Sequence, residues 1–153
     1  MNSASCKVII LQRVIPHYRV AVFRNITTNK EFDISLVIGQ DTPKSKAKNA
    51  ADLTGIKYQQ LSTSFIDVKG RRLAQHHGLL QTLKNEHPDV IICEAESHLL
   101  GYLTAIFYKF VFSRNTKLIL WCFFALPGVL KEKSYFHSCF KMIARKCFDG
   151  FLS

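Results

Sequence analysis

The sequence lacks the short motifs that mark common cofactor and metal sites. Its seven glycines form neither a G-x-G-x-x-G turn nor a G-x-x-x-x-G-K-[ST] loop, which disfavours ordinary nicotinamide and P-loop enzymes. Its five cysteines form no C-x-x-C pair, and an odd number at irregular spacing suits neither a disulfide framework nor a zinc site. We therefore predict no metal ion, no cofactor and reduced thiols in a cytoplasmic protein.

Long hydrophobic runs are also missing. The apolar run at residues 8–11 is too short for the core of a secretion signal. Residues 99–112 form a run of 14 mostly apolar residues that includes Lys109, whereas a spanning helix needs about 20. Extending this run meets Arg114 and Lys117, and a charge at the centre of a spanning helix costs about 2.5–3.5 kcal/mol. We therefore predict a buried helix here and no membrane-spanning segment.

Acidic residues are scarce, since 11 Asp and Glu stand against 21 Lys and Arg and give a formal net charge of +10. Residues 97–153 hold eight basic and two acidic residues, so +6 of this charge lies in the last 57 residues. The excess suits three kinds of phosphate-bearing partner: nucleic acid, an anionic membrane surface, or a phosphorylated small molecule. Charge alone does not choose among them.

Apolar residues make up 48% of the 153 residues and charged residues 21%, the balance of a folded domain with a core that needs no disulfide. We expect strands at 7–11, 33–38, 57–61, 89–93 and 117–121, and helices at 20–26, 71–87, 98–112 and 131–147, with a long mobile loop at 41–52. This alternation predicts one α/β domain, residues 1–153, whose mostly parallel sheet has helices on both faces. Residues 151–152 look like the start of another strand, so we expect the domain to be incomplete at its C-terminus.

In an open parallel sheet, ligands bind beyond the carboxyl ends of the strands. The connection after the first strand has no glycine and carries Arg13, His17, Tyr18 and Arg19, with Pro16 suited to a first helical turn. Two cations near backbone N–H donors could hold a phosphate or a sugar hydroxyl. Alternatively, His17 and Tyr18 pack the start of the helix and the arginines are solvated.

The connection after the fourth strand holds Glu94, Glu96, Ser97 and His98. Alternation along an extended segment would place the two carboxylates on the same side, where paired carboxylates can serve as acid and base. Carboxylates and a serine before a helix also serve as ordinary caps, which is the favoured interpretation. If the connection is functional, Glu96 and His98 are the favoured pair.

The remaining candidates lie further along the chain. Lys141, Arg145 and Lys146 alternate with apolar residues on the last predicted helix, a pattern that suits a basic surface stripe or attachment to anionic lipid. Cys122 has no flanking signature of a nucleophile, so a buried inert thiol is favoured.

Three segments together resemble the N-terminal half of GT-B bacterial glycosyltransferases of the retaining family 4 group. They are Pro16-His17-Tyr18-Arg19 with Phe23 one turn on, the strand Pro88-Asp89-Val90-Ile91-Ile92, and the strand Leu118-Ile119-Leu120-Trp121. The resemblance covers nearly the whole chain, and Pro-His-Tyr-Arg is its most distinctive piece. Many relatives carry a Gly-His pair after the strand that ends in Trp, whereas this chain has Cys122 and Phe123, so no catalytic histidine is carried over.

The resemblance implies a Rossmann-like acceptor domain, one half of a GT-B fold. The complete enzyme would transfer a hexose from a nucleotide-sugar to a lipid-linked or polysaccharide acceptor, as in polysaccharide or lipopolysaccharide biosynthesis, at the inner face of the plasma membrane. Arg13, His17, Tyr18, Arg19 and the connection after the fourth strand would border the acceptor cleft. We expect the donor-binding domain to be missing from this chain, which would make the chain a truncated product or one subunit of a split enzyme, inactive alone.

Two other classes of function stay open. A non-catalytic basic module would bind nucleic acid or anionic membrane, although the chain has no recognisable nucleic-acid reader motif and no specific nucleic acid is expected. A small-molecule enzyme would use Glu94 and Glu96 as its acid and base.

Overall fold

A computed structural model describes residues 5–41, 47–68, 71–94, 99–121 and 146–152. Six strands form the main sheet: β1 (Cys6–Gln12), β2 (Phe32–Gly39), β3 (Tyr58–Leu61), β6 (Val90–Glu94), β7 (Lys117–Trp121) and β8 (Gly150–Leu152). A separate two-stranded hairpin consists of β4 (Thr63–Val68) and β5 (Arg71–His76). The helices are α1 (Val20–Thr27), α2 (Leu79–Glu86) and α3 (Leu99–Val111), and a 3-10 turn (His17–Arg19) precedes α1.

The main sheet has the strand order β3-β2-β1-β6-β7-β8, and every neighbouring pair is parallel. Ile10 in the central strand pairs with Leu36 on one side and with Ile92 on the other. The chain builds outward from β1 to β3 and then returns to the other side of β1. The connections after β1 and β6 therefore leave in opposite directions, which opens a crevice at the carboxyl edge between these two strands.

Two apolar layers cover the sheet, as the strand patterns predict. Alternate residues of β1 face opposite sides, so Ile9 and Leu11 pack with α2 and α3, while Val8 and Ile10 pack with α1. On the side of the sheet that α1 covers, Phe23 of α1 is fully buried. On the side that α2 and α3 cover, Tyr108 is the largest fully buried side chain of α3. The α/β class with helices on both faces is confirmed.

The helix predicted over residues 71–87 is wrong in its first half. Residues 71–76 form β5, which pairs antiparallel with β4 so that Phe65 lies opposite Ala74. Helix α2 begins only after Gly78. The φ of Gly78 is 84°, a left-handed backbone conformation that an α-helix running through residues 71–87 could not contain. The backbone of Arg71 and Arg72 therefore lies in β5, as does His76, and His77 directly follows this strand. The physical reason is that β-forming residues at 63–66 supply a pairing partner, which overrides the helical spacing of the leucines.

The apolar helix predicted at 98–112 exists as α3, but it is buried on one side only. Tyr102, Ala105 and Tyr108 are buried against the sheet, whereas Phe107 and Phe110 are about half exposed. The prediction of a buried helix is therefore wrong for the outward face. In the part of the chain that the structure describes, no helix is both long enough and apolar enough to cross a membrane.

The loop predicted as mobile is attached to the domain where it is described, from residue 47 onward. Asn49 accepts a hydrogen bond from the backbone N of Ile15 (2.8 Å) and donates to the carbonyl of Gly39 (2.9 Å). The backbone N of Ala50 also donates to the carbonyl of Ile15 (2.7 Å). Lys44 and Lys46 lie outside the described residues. The described part of this loop is thus held against the first connection.

Gly39 at the end of β2 provides a stability prediction. A Cβ atom there would clash with the His76 ring and lie 2.5 Å from Thr63 Oγ1 and 2.8 Å from the backbone oxygen of Arg13. We expect Gly39→Ala to lower the free energy of unfolding by about 1–3 kcal/mol, the usual cost of overpacking, in urea denaturation. Gly150→Ala is the matched control, because its Cβ would meet nothing closer than 3.9 Å and should change little. Equal stability of both variants would contradict this packing.

Candidate functional site

The candidate site lies in the crevice where β1 and β6 end. Gln12 is the last residue of β1 and Glu94 the last of β6, so both side chains stand at the carboxyl edge of the sheet. Arg19 reaches them from the 3-10 turn, which the extended Pro16 starts and which the Arg19 N to Pro16 O hydrogen bond closes (2.9 Å). The turn between β1 and α1 thus delivers an arginine to the switch point of the sheet.

Arg19 is the centre of this arrangement. Its Nη1 donates to Oε1 of Gln12 (3.0 Å) and forms an ion pair with the carboxylate of Glu94. Its guanidinium carbon also lies 5.8 Å from the ring centroids of both Tyr18 and Trp121, within the roughly 6 Å range of cation–π attraction. A carboxylate, an amide and two aromatic rings therefore fix the position of one guanidinium group.

The polar groups of this crevice are largely out of contact with solvent. Gln12 is fully buried and Glu94 is 8% exposed. Nε2 of Gln12 is buried and has no hydrogen-bond partner among the residues that the structure describes. Burying such groups costs free energy unless they are paired, so the pairing of Glu94 with Arg19 is what allows a carboxylate at this position.

A small cavity opens beside the ion pair. Its volume is about 120 Å³, and Arg13, Tyr18, Arg19 and Glu94 contribute its polar lining. Cavities that hold drug-sized ligands measure roughly 300–1,000 Å³, so this one admits only part of a small polar molecule. Arginine N–H donors, a carboxylate acceptor and the exposed ring of Tyr18 form a set that can bind hydroxyl groups and the face of a sugar ring.

A second polar cluster lies where β2 and the hairpin meet. His76 is buried, and its Nδ1 lies 3.0 Å from Oγ1 of Thr63. Burial, and then the positive charges of His77 and Arg13, lower the pKa of His76 from 6.5 to about 4. His76 is therefore neutral at neutral pH and serves as a packed hydrogen-bonding residue.

A larger cavity of about 640 Å³ lies between α2, α3 and the end of β5, away from the ion pair. His77, Lys84, Leu103 and Phe107 are among its lining residues. It is a groove between two helices. We place the candidate site at the smaller cavity, because ligands of open α/β sheets bind at the switch point, where the Arg19–Glu94 ion pair lies.

The structure brings four of the predicted site residues together: Arg13, Tyr18, Arg19 and Glu94 line one cavity. The alternative that both arginines are solvated does not hold for Arg19, whose side chain is 16% exposed. Glu94 is the last residue of β6 and is paired with Arg19. His17 is exposed and contacts the edge of the Tyr18 ring, with centroids 5.7 Å apart, without lining the cavity.

Several predicted residues cannot be placed in this site. Glu96, Ser97, His98, Cys122, Lys141 and Arg145 lie outside the described residues, so their roles stay predictions. Lys146 is described and exposed, and the two residues that follow it pack on the α3 side of the core. Within the described ranges, no three His, Cys, Asp or Glu side chains form a group that could hold a metal ion.

Sequence reasoning missed two members of the site, Gln12 and Trp121. A signal for Gln12 was present, because a polar residue that directly continues a buried apolar strand needs a buried partner. Trp121 ends β7 and packs edge-on against Phe23, with ring centroids 6.0 Å apart, while it also approaches Arg19. Trp121 reaches Arg19 because β7 lies next to β6 in the sheet, and the spacing of residues along the chain does not predict this strand order.

No protein-family model matches the chain, and no match was found among curated proteins or solved structures. The class of the domain therefore rests on its own topology. Six parallel strands in the order β3-β2-β1-β6-β7-β8, with helices on both faces and a switch point beside β1, define a Rossmann-like α/β domain.

Proposed function

We propose that the chain is the acceptor-binding part of a glycosyltransferase, an enzyme that transfers a sugar from a nucleotide-sugar donor to a lipid-linked or polysaccharide acceptor. The observation that supports this proposal most directly is the Arg19–Glu94 ion pair beside the exposed ring of Tyr18 at the switch point. Charged hydrogen-bonding groups next to an aromatic face are the chemistry that recognises a sugar with its hydroxyl groups.

The size of the cavity supports an acceptor sugar over a nucleotide. A volume of about 120 Å³ suits part of one sugar ring, whereas a nucleotide-sugar needs a much larger cleft. In this proposal, Glu94 accepts a hydrogen bond from one hydroxyl of the acceptor and Arg19 donates to another. Tyr18 covers one face of the ring, and Arg13 borders the entrance.

The proposal is tested by titrating the isotope-labelled chain with methyl glycosides of common hexoses and observing backbone amides by NMR. We expect saturable shifts at Tyr18, Arg19 and Glu94 at millimolar glycoside, and a loss of affinity of about tenfold or more in Tyr18→Ala. Tyr58→Ala is the control, because Tyr58 is another exposed tyrosine, on the edge strand β3, and its loss should leave the affinity unchanged.

The other outcomes contradict the proposal. Absence of shifts with every glycoside, or shifts that Tyr18→Ala does not weaken, would exclude an acceptor site in this crevice. Tight and steeply salt-dependent binding of RNA or DNA, without glycoside binding, would instead support the basic-module alternative.

A further inference from the structure

The outward face of α3 carries exposed apolar side chains from Leu103 to Val111. Leu103, Phe107, Phe110 and Val111 follow one another at intervals of four, three and one residues, which places them on one face of a helix. Their exposed fractions are 39%, 49%, 52% and 57%. Single exposed apolar residues are ordinary on protein surfaces, but a contiguous patch of this kind marks an interaction surface.

The charge around this face is positive. Residues 99–121 contain three basic residues and no Asp or Glu. Arg114 is exposed just beyond the end of α3, and Nζ of Lys84 on α2 lies 4.8 Å from the centroid of the Phe112 ring. Lys109 and Lys117 pair with Asp149. Lys84 and Arg114 therefore border the apolar face with positive charge.

We propose that the outward face of α3 docks onto an anionic lipid bilayer, with the helix lying in the plane of the interface. The face consists of Leu103, Phe107, Phe110 and Val111, whose side chains would enter the boundary between headgroups and acyl chains. Lys84 and Arg114 would meet the anionic headgroups. This inference goes beyond the proposed function and does not depend on it.

Charge complementarity decides in favour of anionic lipid as the occupant. A second copy of this chain would bring the same net charge of +10 and the same basic border, so the charges would repel. The four residues of this face have only aliphatic and phenyl side chains, and the hydroxyl of the neighbouring Thr104 already donates to the carbonyl of Leu100. An apolar helix face with basic flanks is the pattern of helices that lie in a membrane interface.

The dimensions of α3 agree with this orientation. Its 13 residues make a helix about 20 Å long, shorter than the hydrocarbon core of roughly 30 Å that a spanning helix must cross. The opposite face of α3 carries Tyr102, Ala105 and Tyr108, which remain buried in the domain. The helix can therefore insert its outward side chains while the fold stays intact.

The first test is co-sedimentation of the full chain with vesicles of phosphatidylcholine alone or mixed with phosphatidylglycerol. We expect binding to the mixed vesicles only. The double variant Phe107→Ser with Phe110→Ser should bind them about 100-fold more weakly, since each phenyl ring contributes through burial. Both residues are half exposed, so the variant should keep its urea midpoint, and circular dichroism checks that it is folded.

The second test locates the surface that enters the bilayer. Phe110→Trp is compared with Val22→Trp, because Val22 is 49% exposed on α1, which packs on the opposite face of the sheet. Fluorescence of the Phe110→Trp variant should shift to the blue and be quenched by brominated lipid. Adding vesicles should leave the emission of the Val22→Trp variant unshifted and unquenched. The wild type, whose only tryptophan is Trp121, should likewise show no change.

Each other result overturns the proposal. Failure of the wild type to bind phosphatidylglycerol vesicles would exclude the surface as a membrane contact. Vesicle binding without quenching of the tryptophan at position 110 would mean that another part of the chain contacts the bilayer, for example the basic residues Lys141, Arg145 and Lys146. A dimer in lipid-free solution that the Phe107→Ser, Phe110→Ser variant dissociates, together with no vesicle binding, would assign the face to a second copy of the chain.

Discussion

Replacing Glu94 with glutamine is expected to lower the free energy of unfolding by about 3 kcal/mol, as measured by urea denaturation at neutral pH. Glutamine keeps the shape of the side chain and removes its charge. The Arg19 guanidinium would then remain in a site where its side chain is 16% exposed, without the carboxylate that balances it. Breaking a buried pair by removing one charge leaves the other uncompensated, which is why the expected cost is large.

A surface ion pair provides the matched control. Asp33→Asn removes one charge from the Lys57–Asp33 pair, whose side chains are 58% and 41% exposed, and should cost less than about 1 kcal/mol. The double variant Arg19→Gln with Glu94→Gln should lose less stability than the two single variants together, because no charge is left unbalanced. If Glu94→Gln is no more destabilising than Asp33→Asn, the ion pair is not the buried anchor that we describe.

The central strands could be predicted from the sequence for a simple physical reason. In a parallel sheet with both faces covered, strand residues are buried on both sides and read as continuous apolar runs. Residues 7–11, 33–38 and 89–93 have this character and became β1, β2 and β6. The alternation of such runs with amphipathic segments determines the α/β class, since each helix needs a sheet face to cover.

The hairpin could not be predicted by the same argument. Leu73, Leu80 and Leu83 have the spacing of one helical stripe, yet the first belongs to β5 and the other two to α2. Periodicity is local, whereas the pairing of β4 with β5 is an interaction between two segments. Gly78, with its φ of 84°, was the local signal that this stripe contains a break.

The candidate site was predicted as a location and not as a set of contacts. The carboxyl-edge argument placed Arg19 and Glu94 at the same edge of the sheet, although 75 positions separate them in the chain. Their ion pair depends on β1 and β6 being neighbours, and that adjacency follows from the strand order alone. The same holds for Trp121, which reaches Arg19 because β7 lies next to β6.

Helix α3 shows a different limit of sequence patterns. Its outward and inward faces are both apolar, so periodicity cannot say which one meets the sheet. The structure resolves this, because Tyr102, Ala105 and Tyr108 are buried and the phenylalanines at 107 and 110 are not. An apolar helix face that does not meet the sheet needs a partner of its own, and that requirement motivates the proposed bilayer contact.

Stability should fall as the pH drops from about 6.5 to about 4, because of His76. Folding lowers the pKa of His76 from 6.5 to about 4, chiefly through burial and then through His77 and Arg13. Between these values the unfolded chain binds a proton that the folded chain does not, so acid favours unfolding. The expected loss is about 1.4 kcal/mol per pH unit and about 3 kcal/mol over the whole window, with no contribution above it.

Variant His76→Asn separates this effect from the titration of carboxylates, which also weakens proteins in acid. Asparagine can place an amide near the position of Nδ1, 3.0 Å from Oγ1 of Thr63, and it does not titrate. We expect the variant to lose stability at neutral pH through poorer packing, yet to show a shallower decline from pH 6.5 to 4 than the wild type, by about 3 kcal/mol in total. Parallel declines in the two proteins, measured by urea denaturation at each pH, would mean that His76 accepts its proton in the folded domain. The packing of its ring against Gly39 and Thr63 would then not be tight enough to keep it neutral.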